Sequence, residues 1–308
     1  MSRAVVFESY GPPEVLKVVD VACSDPQAGE VKVRVHSAGV QPFDCLFRSG
    51  AARQWMPAHF PQRLGNEFAG VIDAVGPGET LWSVGDEVLG WSLFDAYAEE
   101  IVVKTSQLIG KPDNMPWNEA GVLSASGQTA AAAIADIRLV AGETVLIHGA
   151  SGGVGSFAVQ LARAIGAKVI GTASVGSHAY LSGLGALPVA YGPGLSERVR
   201  SLAPEGVAAA LVLANSEDAV HSSLELGVDR QRIGVVAYVA VAEPLGLRRV
   251  STRRSREQLQ GLAEMYATGH LRIAIERVFG LEEASAAHAA LEAGHVRGKI
   301  AVSCVEVD

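Results

Sequence analysis

Short apolar runs, punctuated by glycine and proline, fill the first ~115 residues of the chain. The runs at 4–7, 30–38, 68–75, 87–89 and 99–103 read as strands. Turn signals separate them: Gly11-Pro12-Pro13, Asp25-Pro26, Gly76-Pro77-Gly78 and Gly85-Asp86. The pattern predicts a mostly antiparallel, barrel-like domain. From about Trp117 the texture changes. Apolar strands at 144–147, 168–172, 187–190, 208–213 and 234–239 alternate with helical stretches. The helices are expected at 154–165, stopped by Gly166, at 177–184, closed by Gly185, and near 196–202 and 216–226. Strand alternating with helix predicts a doubly wound parallel sheet. A long amphipathic helix is expected at 255–267, and a helix at 282–292 and a strand at 300–304 are expected to return to the first domain. The domains so drawn are 1–117 with 268–308, and 118–267.

Length and charge narrow the class. At 308 residues the chain has room for two domains with real cores. It carries 25 Lys plus Arg against 33 Asp plus Glu, a net charge of -8. Such a chain is a poor candidate for sequence-independent nucleic-acid binding, which needs a basic surface. Cys23, Cys45 and Cys304 form no CxxC pair, which disfavours a disulfide framework and a cysteine-built zinc knuckle. The first residues lack a secretory leader's apolar region. The apolar runs at 207–214 and 234–242 are far shorter than the ~20 residues of a membrane helix. A cytoplasmic protein without a membrane partner is the expectation.

The segment Thr144-Val-Leu-Ile-His148-Gly149-Ala150-Ser151-Gly152-Gly153-Val154-Gly155 carries the strongest chemistry. A strand enters a glycine turn, and the turn opens a helix. Gly149 permits a tight turn, Gly152 lets the backbone approach a pyrophosphate, and Gly155 lets the helix pack closely on the sheet. The helix start offers N–H groups to the anion, with Ser151, Gly153 and Val154 in the same cradle. No Lys-Ser or Lys-Thr follows, so the turn is no nucleoside-triphosphate loop. A dinucleotide is the predicted ligand. An NAD site would place Asp or Glu at the end of the next strand. Here that strand ends Thr172-Ala173-Ser174, followed by Ser177 and His178. Hydroxyls and an imidazole suit a 2'-phosphate, which points to NADPH.

Further blocks occur in order along nearly the whole chain. They are His36-Ser-Ala-Gly39-Val40-Gln41-Pro42-Phe43-Asp44 with Arg48-Ser-Gly50, Leu64-Gly65-Asn66-Glu67-Phe68-Ala69-Gly70-Val71, Val84-Gly85-Asp86-Glu87-Val88, Ala96-Tyr97-Ala98-Glu99, Gly127-Gln128-Thr129-Ala130, and Gly294-His295-Val296-Arg297-Gly298-Lys299-Ile300. With the glycine turn, the chain resembles the zinc-independent, quinone oxidoreductase-like branch of the medium-chain dehydrogenase/reductases. The resemblance implies an α/β protein with a GroES-like, mostly-β catalytic domain, a Rossmann domain, and a cleft between them. It also implies a homodimer, for which residues 234–242 offer an apolar edge. Zinc-using relatives have Cys where Gln41 stands and His where Asn66 stands, so no metal is expected.

The resemblance implies roles for single residues, each beside a plainer reading. Gln41 stands where relatives place Asn against the nicotinamide ribose, or makes a loop hydrogen bond. Many relatives carry a tyrosine in the segment Cys45-Leu46-Phe47, and Leu46 cannot donate its proton. Gln41, Cys45 and Asn66 remain as catalytic candidates, with water and the cofactor ribose as other proton sources. Leu46, Trp55, Trp91 and Phe94 are candidates for the substrate pocket, and the last two suit ordinary core packing equally well. Asp44 and Arg48, four apart, form either an ion pair on one helical turn or a catalytic dyad. Thr129 lies near the nicotinamide in relatives, or caps a helix. Tyr191 matches a tyrosine near the adenosine phosphate. Asn215, Tyr238 and Val239 follow strand ends, where such sheets bind ligands. Arg297 and Lys299 reach the cofactor or only cap surface charge. The run Arg248-Arg249, Arg253-Arg254 and Arg256 is a solvated face or a contact for an anionic carrier arm.

The function so implied is NADPH-dependent hydride transfer to an activated C=C bond or a quinone without a Lewis acid. A reductase of a carbonyl or iminium, or a specialised biosynthetic enzyme, is the alternative. A non-catalytic NADPH-binding protein is the third reading.

Overall fold

In a computed structural model, which describes residues 2–305, the chain divides into two units. One comprises the chain up to Ala125 and again from Ser255, and the other is Ser126–Arg254. These bounds differ from the expected 117/118 and 267/268. The helix Arg256–Ala267 packs on the strand Leu108–Gly110, and Arg256 lies over the ring of Trp82, so this helix belongs with the first unit.

The first unit is built on the long strand Glu30–Gly39. It pairs antiparallel with Glu67–Val75, with Glu100–Lys104 and with Lys299–Ser303. Glu67–Val75 continues to Glu87–Trp91 and then to Leu108–Gly110, while Ile275–Gly280 lies parallel to Lys299–Ser303 at the other edge. A second sheet joins Ser2–Phe7 to Lys17–Val21 and Gln62–Arg63. Alternating burial along Glu30–Gly39 puts Val31, Val33 and Val35 into one core with Phe7, Phe47, Phe68 and Tyr97. The returning strand carries Ile300 and Val302 into that core, as the sequence predicts. Val40 extends the pairing, its N–H donating to the Ile300 carbonyl at 3.0 Å. The short helix Pro42–Arg48 follows at once.

The second unit is a six-stranded parallel sheet. Its strands run in the order Leu187–Ala190, Lys168–Ala173, Thr144–His148, Ala209–Val212, Ile233–Val235 and Arg248–Arg249. Numbered along the chain this is 3-2-1-4-5-6, the doubly wound order, with its switch point between the first and fourth strands. Three expectations are corrected here. The fifth strand has three residues, because the N–H groups of Val236 and Ala237 both turn to the Val212 carbonyl and the ladder stops. The apolar residues beyond it form turns and bury Val239, Ala242 and Leu247. Residues 234–242 therefore make no free apolar edge, since Arg248–Arg249 pairs beside the fifth strand. Thr129 is no cap either, as its helix runs Ser124–Asp136 and starts well before it.

Candidate functional site

In the second unit the strand Thr144–His148 leads into the glycine turn, and the helix Gly153–Ile165 leaves it. Gly149 has φ +73°, a left-handed conformation that a side chain disfavours. Its N–H donates to the Thr172 hydroxyl at 3.2 Å, and the Ala150 N–H donates to the Thr172 carbonyl at 3.1 Å, tying the turn to the next strand. A Cβ on Gly155 would lie 2.2 Å from the Gly149 carbonyl oxygen, so the helix touches the turn backbone there. A Cβ on Gly152 would meet only that oxygen, at 3.5 Å. Gly152 is the N-cap and supplies no side-chain cap, and the first N–H groups of a helix have no partner within it. Gly152 thus opens a small cradle in front of unpaired donors, with half-buried Ser151, Gly153 and Val154 around it.

The neighbouring strand ends supply the rest of this edge. Ser174 precedes a single 3-10 turn, and its hydroxyl lies 3.4 Å from that of buried Ser177. His178 starts the next helix, and its Nε2 is buried with no hydrogen-bond partner. Tyr191 and Asn215 follow the third and fourth strands and are exposed. Ser216 caps the helix Glu217–Glu225. Tyr238 follows the fifth strand, with the Arg249 guanidinium 3.9 Å from its ring centroid, while Val239 is buried. Because the strands are parallel, all these positions lie at one edge of the sheet. Thr129 is half-buried, its hydroxyl 3.2 Å from that of Thr252. Of the basic run, Arg248 pairs with Asp136 at 2.8 Å.

The first unit holds a second cluster, buried and polar. Asp44 is the third residue of the helix Pro42–Arg48 and is fully buried. It accepts from the Gln41 N–H at 2.9 Å, from the Tyr97 hydroxyl at 2.8 Å and from the Asn66 amide. Glu67, also fully buried, accepts from the Gln41 amide, from the Ala125 N–H at 2.6 Å and from the Lys299 ammonium at 3.1 Å. Arg48 does not pair with Asp44, contrary to their spacing. Its guanidinium is buried and meets Glu292, because Asp44 turns inward to its three donors. Cys45 is buried with Sγ 3.5 Å from His288 Nδ1. Burial, then the charges of Asp44 and Glu292, push its thiol up, so it neither donates a proton readily nor acts as a thiolate.

Leu46 is half-buried against the core. Phe94 is a core residue, with its ring 4.0 Å from that of Phe47 and nearly parallel to it. Trp55 is half exposed, 5.9 Å from the Phe43 ring, and Trp91 is half-buried at a strand end. Arg297 is paired with Glu276 at 3.2 Å. Lys299, by contrast, is buried and caps no surface charge. The partners of this cluster were not legible in the chain, apart from one signal. A Cβ on Gly39 would fall 2.1 Å from a Glu67 carboxylate oxygen, so a glycine marks where that carboxylate lies.

Buried groups give the protein opposing pH responses. Burial pushes Asp44 up to about 6 from 3.8, against its hydrogen bonds and Lys299. The folded protein then holds a proton that the unfolded chain has lost, so this group lowers stability as pH rises from about 4 to about 6. Burial holds His148 down to about 4, and burial with Arg48 holds His288 down to about 3, both from 6.5. Their stabilisation is full above 6.5 and is lost as pH falls toward 4 and 3. Asp44→Asn removes the counter-slope. In urea unfolding across this range, the variant is expected to lose stability more steeply on acidification than the wild type. An equal or shallower slope contradicts the assignment.

The geometry defines a class: a GroES-like unit carried in one chain with a dinucleotide-fold unit. Residues 27–113 match the alcohol dehydrogenase GroES-like domain, and residues 188–302 match the zinc-binding dehydrogenase domain. The quinone oxidoreductase of Pseudomonas aeruginosa is 36% identical over 184 residues, 59% of this chain and 56% of that one. The chain spans only about half the length of the curated relatives it matches. The structure of the Coxiella burnetii quinone oxidoreductase covers 99% of both chains at 30% identity, with a TM-score of 0.86. That of the CurK enoyl reductase covers 98% of this chain and 99% of its own at 26% identity, with a TM-score of 0.88. The chain belongs to the medium-chain dehydrogenase/reductase family, in its quinone oxidoreductase-like branch.

Part of that family carries zinc, and the donors of this chain do not suit it. Zinc takes thiolate, imidazole or carboxylate ligands. Gln41 and Asn66, which the resemblance sets in the ligand places, each turn an amide to a buried carboxylate. The ammonium of Lys299 already stands against Glu67. Among the described residues, no group of three or more His, Cys, Asp or Glu is placed to hold a metal ion. Among them, too, no helix is long and apolar enough to cross a membrane.

Proposed function

We propose that this protein is an NADPH-dependent oxidoreductase that reduces an activated C=C bond or a quinone without a metal. The open cradle at Gly152, with Thr172-Ala173-Ser174 beside it in place of an acid, carries this reading. Gly149, Ser151, Gly152, Gly153 and Val154 would hold the pyrophosphate against the helix start. Ser174, Ser177 and the unpartnered Nε2 of His178 would take the 2'-phosphate. Tyr191, Asn215, Tyr238, Val239 and Thr129 line the remaining length in this reading, and Gln41 takes the nicotinamide ribose. NADPH supplies a hydride when bound. The protein's own part is to hold the flat acceptor, exclude water and stabilise the oxyanion that develops. Cys45 is a neutral buried thiol and Leu46 a hydrocarbon, so we assign the final proton to solvent. The relatives include quinone oxidoreductases and an enoyl reductase, which supports both acceptor classes. A solved relative, the Escherichia coli quinone oxidoreductase, is complexed with NADPH.

The test is a panel of quinones, enones and enoyl thioesters with NADPH, followed by loss of the reduced-nicotinamide absorbance. Turnover of at least one class is expected, with NADH much the poorer donor. NADPH binding without turnover on any of them would favour a non-catalytic protein. The missing hydroxyl at Leu46 favours a second reading, the reduction of a carbonyl or iminium in one specialised metabolite. Turnover of aldehydes or imines alone would establish it. A homodimer belongs to the proposal, and light scattering at the mass of a single 32.1 kDa chain would remove it.

A further inference from the structure

Arg248, Arg249, Arg253, Arg254 and Arg256 fall within nine positions, and no acid lies among them. The chain as a whole carries a net charge of -8. Like charges gathered in one short run repel each other and attract an anion. Two of the five are occupied, since Arg248 pairs with Asp136 at 2.8 Å and Arg256 lies over the Trp82 ring. Arg254 is half-buried. Arg249 and Arg253 are exposed, and neither has a carboxylate partner among the described residues. Arg249 is nonetheless held in place, its guanidinium 3.9 Å from the Tyr238 ring centroid. A guanidinium on an aromatic ring still offers its planar fork of N–H donors, which suits a phosphate.

The place of Arg249 in the sheet says whose phosphate this is. It ends the sixth strand, opposite Val235 at the end of the fifth, so it shares the edge that carries the glycine turn. From the first strand, the second lies on one side and the fourth, fifth and sixth on the other. In the cofactor reading the pyrophosphate sits at the end of the first strand and the 2'-phosphate at the end of the second. Arg249 stands three strands from the first on the opposite side, about 14 Å at ~4.8 Å per strand. Every phosphate of NADPH is then placed away from it, and a phosphate at Arg249 belongs to the other substrate.

We propose that Arg249 and Arg253 bind the phosphate of an arm that carries the acceptor. The substrate is then an enoyl thioester of coenzyme A or of a carrier-bound phosphopantetheine. This rests on the reductase reading above and narrows it. Quinones and simple enones bear no phosphate, whereas a thioester on such an arm does. The arm is long and flexible, so its phosphate can sit well away from the acyl group being reduced.

The experiment is steady-state kinetics of the full chain with NADPH and a set of acceptors. They are crotonyl-coenzyme A, a crotonyl group on the phosphopantetheine of an acyl carrier protein, crotonyl-N-acetylcysteamine, which has no phosphate, and a quinone. At least one phosphate-bearing thioester is expected to show kcat/KM ~10-fold above that of the N-acetylcysteamine thioester, the worth of one charge-assisted hydrogen bond. The better of the two names the source of the arm. The double variant Arg249→Gln with Arg253→Gln should lose this advantage through KM, with kcat kept. Its KM for NADPH and its rate on the N-acetylcysteamine thioester should match the wild type. Added salt should raise the wild-type KM for the phosphate-bearing thioester and spare the other. Equal kcat/KM with and without the phosphate overturns the proposal. So does an equal loss on both kinds of thioester in the double variant, or a raised KM for NADPH. Turnover of the quinone alone overturns it and leaves the reductase reading standing. Oxidation of NADPH by none of the acceptors defeats that reading itself.

Discussion

Gly152→Val is expected to lower NADPH affinity by ~100-fold, about 2.7 kcal/mol, while leaving stability within ~1 kcal/mol of the wild type. Gly155→Ala, three residues on and the smaller change, is expected to cost about 3 kcal/mol of stability. The contrast follows from what each missing side chain makes room for. At Gly152 a Cβ finds one atom at 3.5 Å, so the fold has space and the lost volume is that of the ligand cradle. Its backbone, at φ -77° and ψ -178°, is extended and suits valine. At Gly155 the Cβ would lie 2.2 Å from the Gly149 carbonyl oxygen and 2.7 Å from Ala150 backbone atoms, none of which can swing aside. The helix must move off the turn, and the anion cradle moves with it. Urea unfolding and NADPH titration of both variants separate the two effects. Equal stability of both, or undiminished affinity in Gly152→Val, would refute the assignment of the turn.

Those two glycines were legible in the chain, and the reason is that their work is local. A strand, a turn and a helix within a dozen or so residues have few ways to be arranged, and the spacing of three marks which glycine does what. Most strands were legible for the same cause, since period and turn residues are short-range signals. Failure came where burial is decided at long range. Residues 234–242 are apolar enough for a strand, yet after Val235 they are buried by turns. Trp55, Trp91 and Phe94 are alike in sequence, but only Phe94 is part of the core. The resemblance sets Gln41 and Asn66 together, at the positions where its zinc-using members hold the metal. Their partners Glu67 and Asp44 follow only once Glu30–Gly39 and Glu67–Val75 are laid side by side.

Arg48 is the sharpest case, and it carries the second large expectation. By its spacing alone it should pair with Asp44. It pairs instead with Glu292, 244 residues away, through the packing of the helix Pro42–Arg48 on the helix Ala284–Glu292. The two ends of this pair stand in unlike surroundings. The Arg48 side chain is 1% exposed, and its Nε and Nη1 have no hydrogen-bond partner, while that of Glu292 is 37% exposed. Glu292→Ala therefore strands a guanidinium in the core with nothing to balance it, and is expected to cost about 3–5 kcal/mol. Arg48→Met removes the buried charge, keeps the volume of the stem, and lets Glu292 turn to water. Its expected cost is under ~1.5 kcal/mol, as for a volume-conserving core change. The double variant should return close to Arg48→Met, so the two losses are far from additive. The Arg48 charge also helps hold His288 neutral, so Arg48→Met should raise the titration of that histidine above about 3. Unfolding of the three variants in urea decides the matter. A Glu292→Ala variant as stable as Arg48→Met would mean that water already reaches the guanidinium, and that the pair does not balance a buried charge.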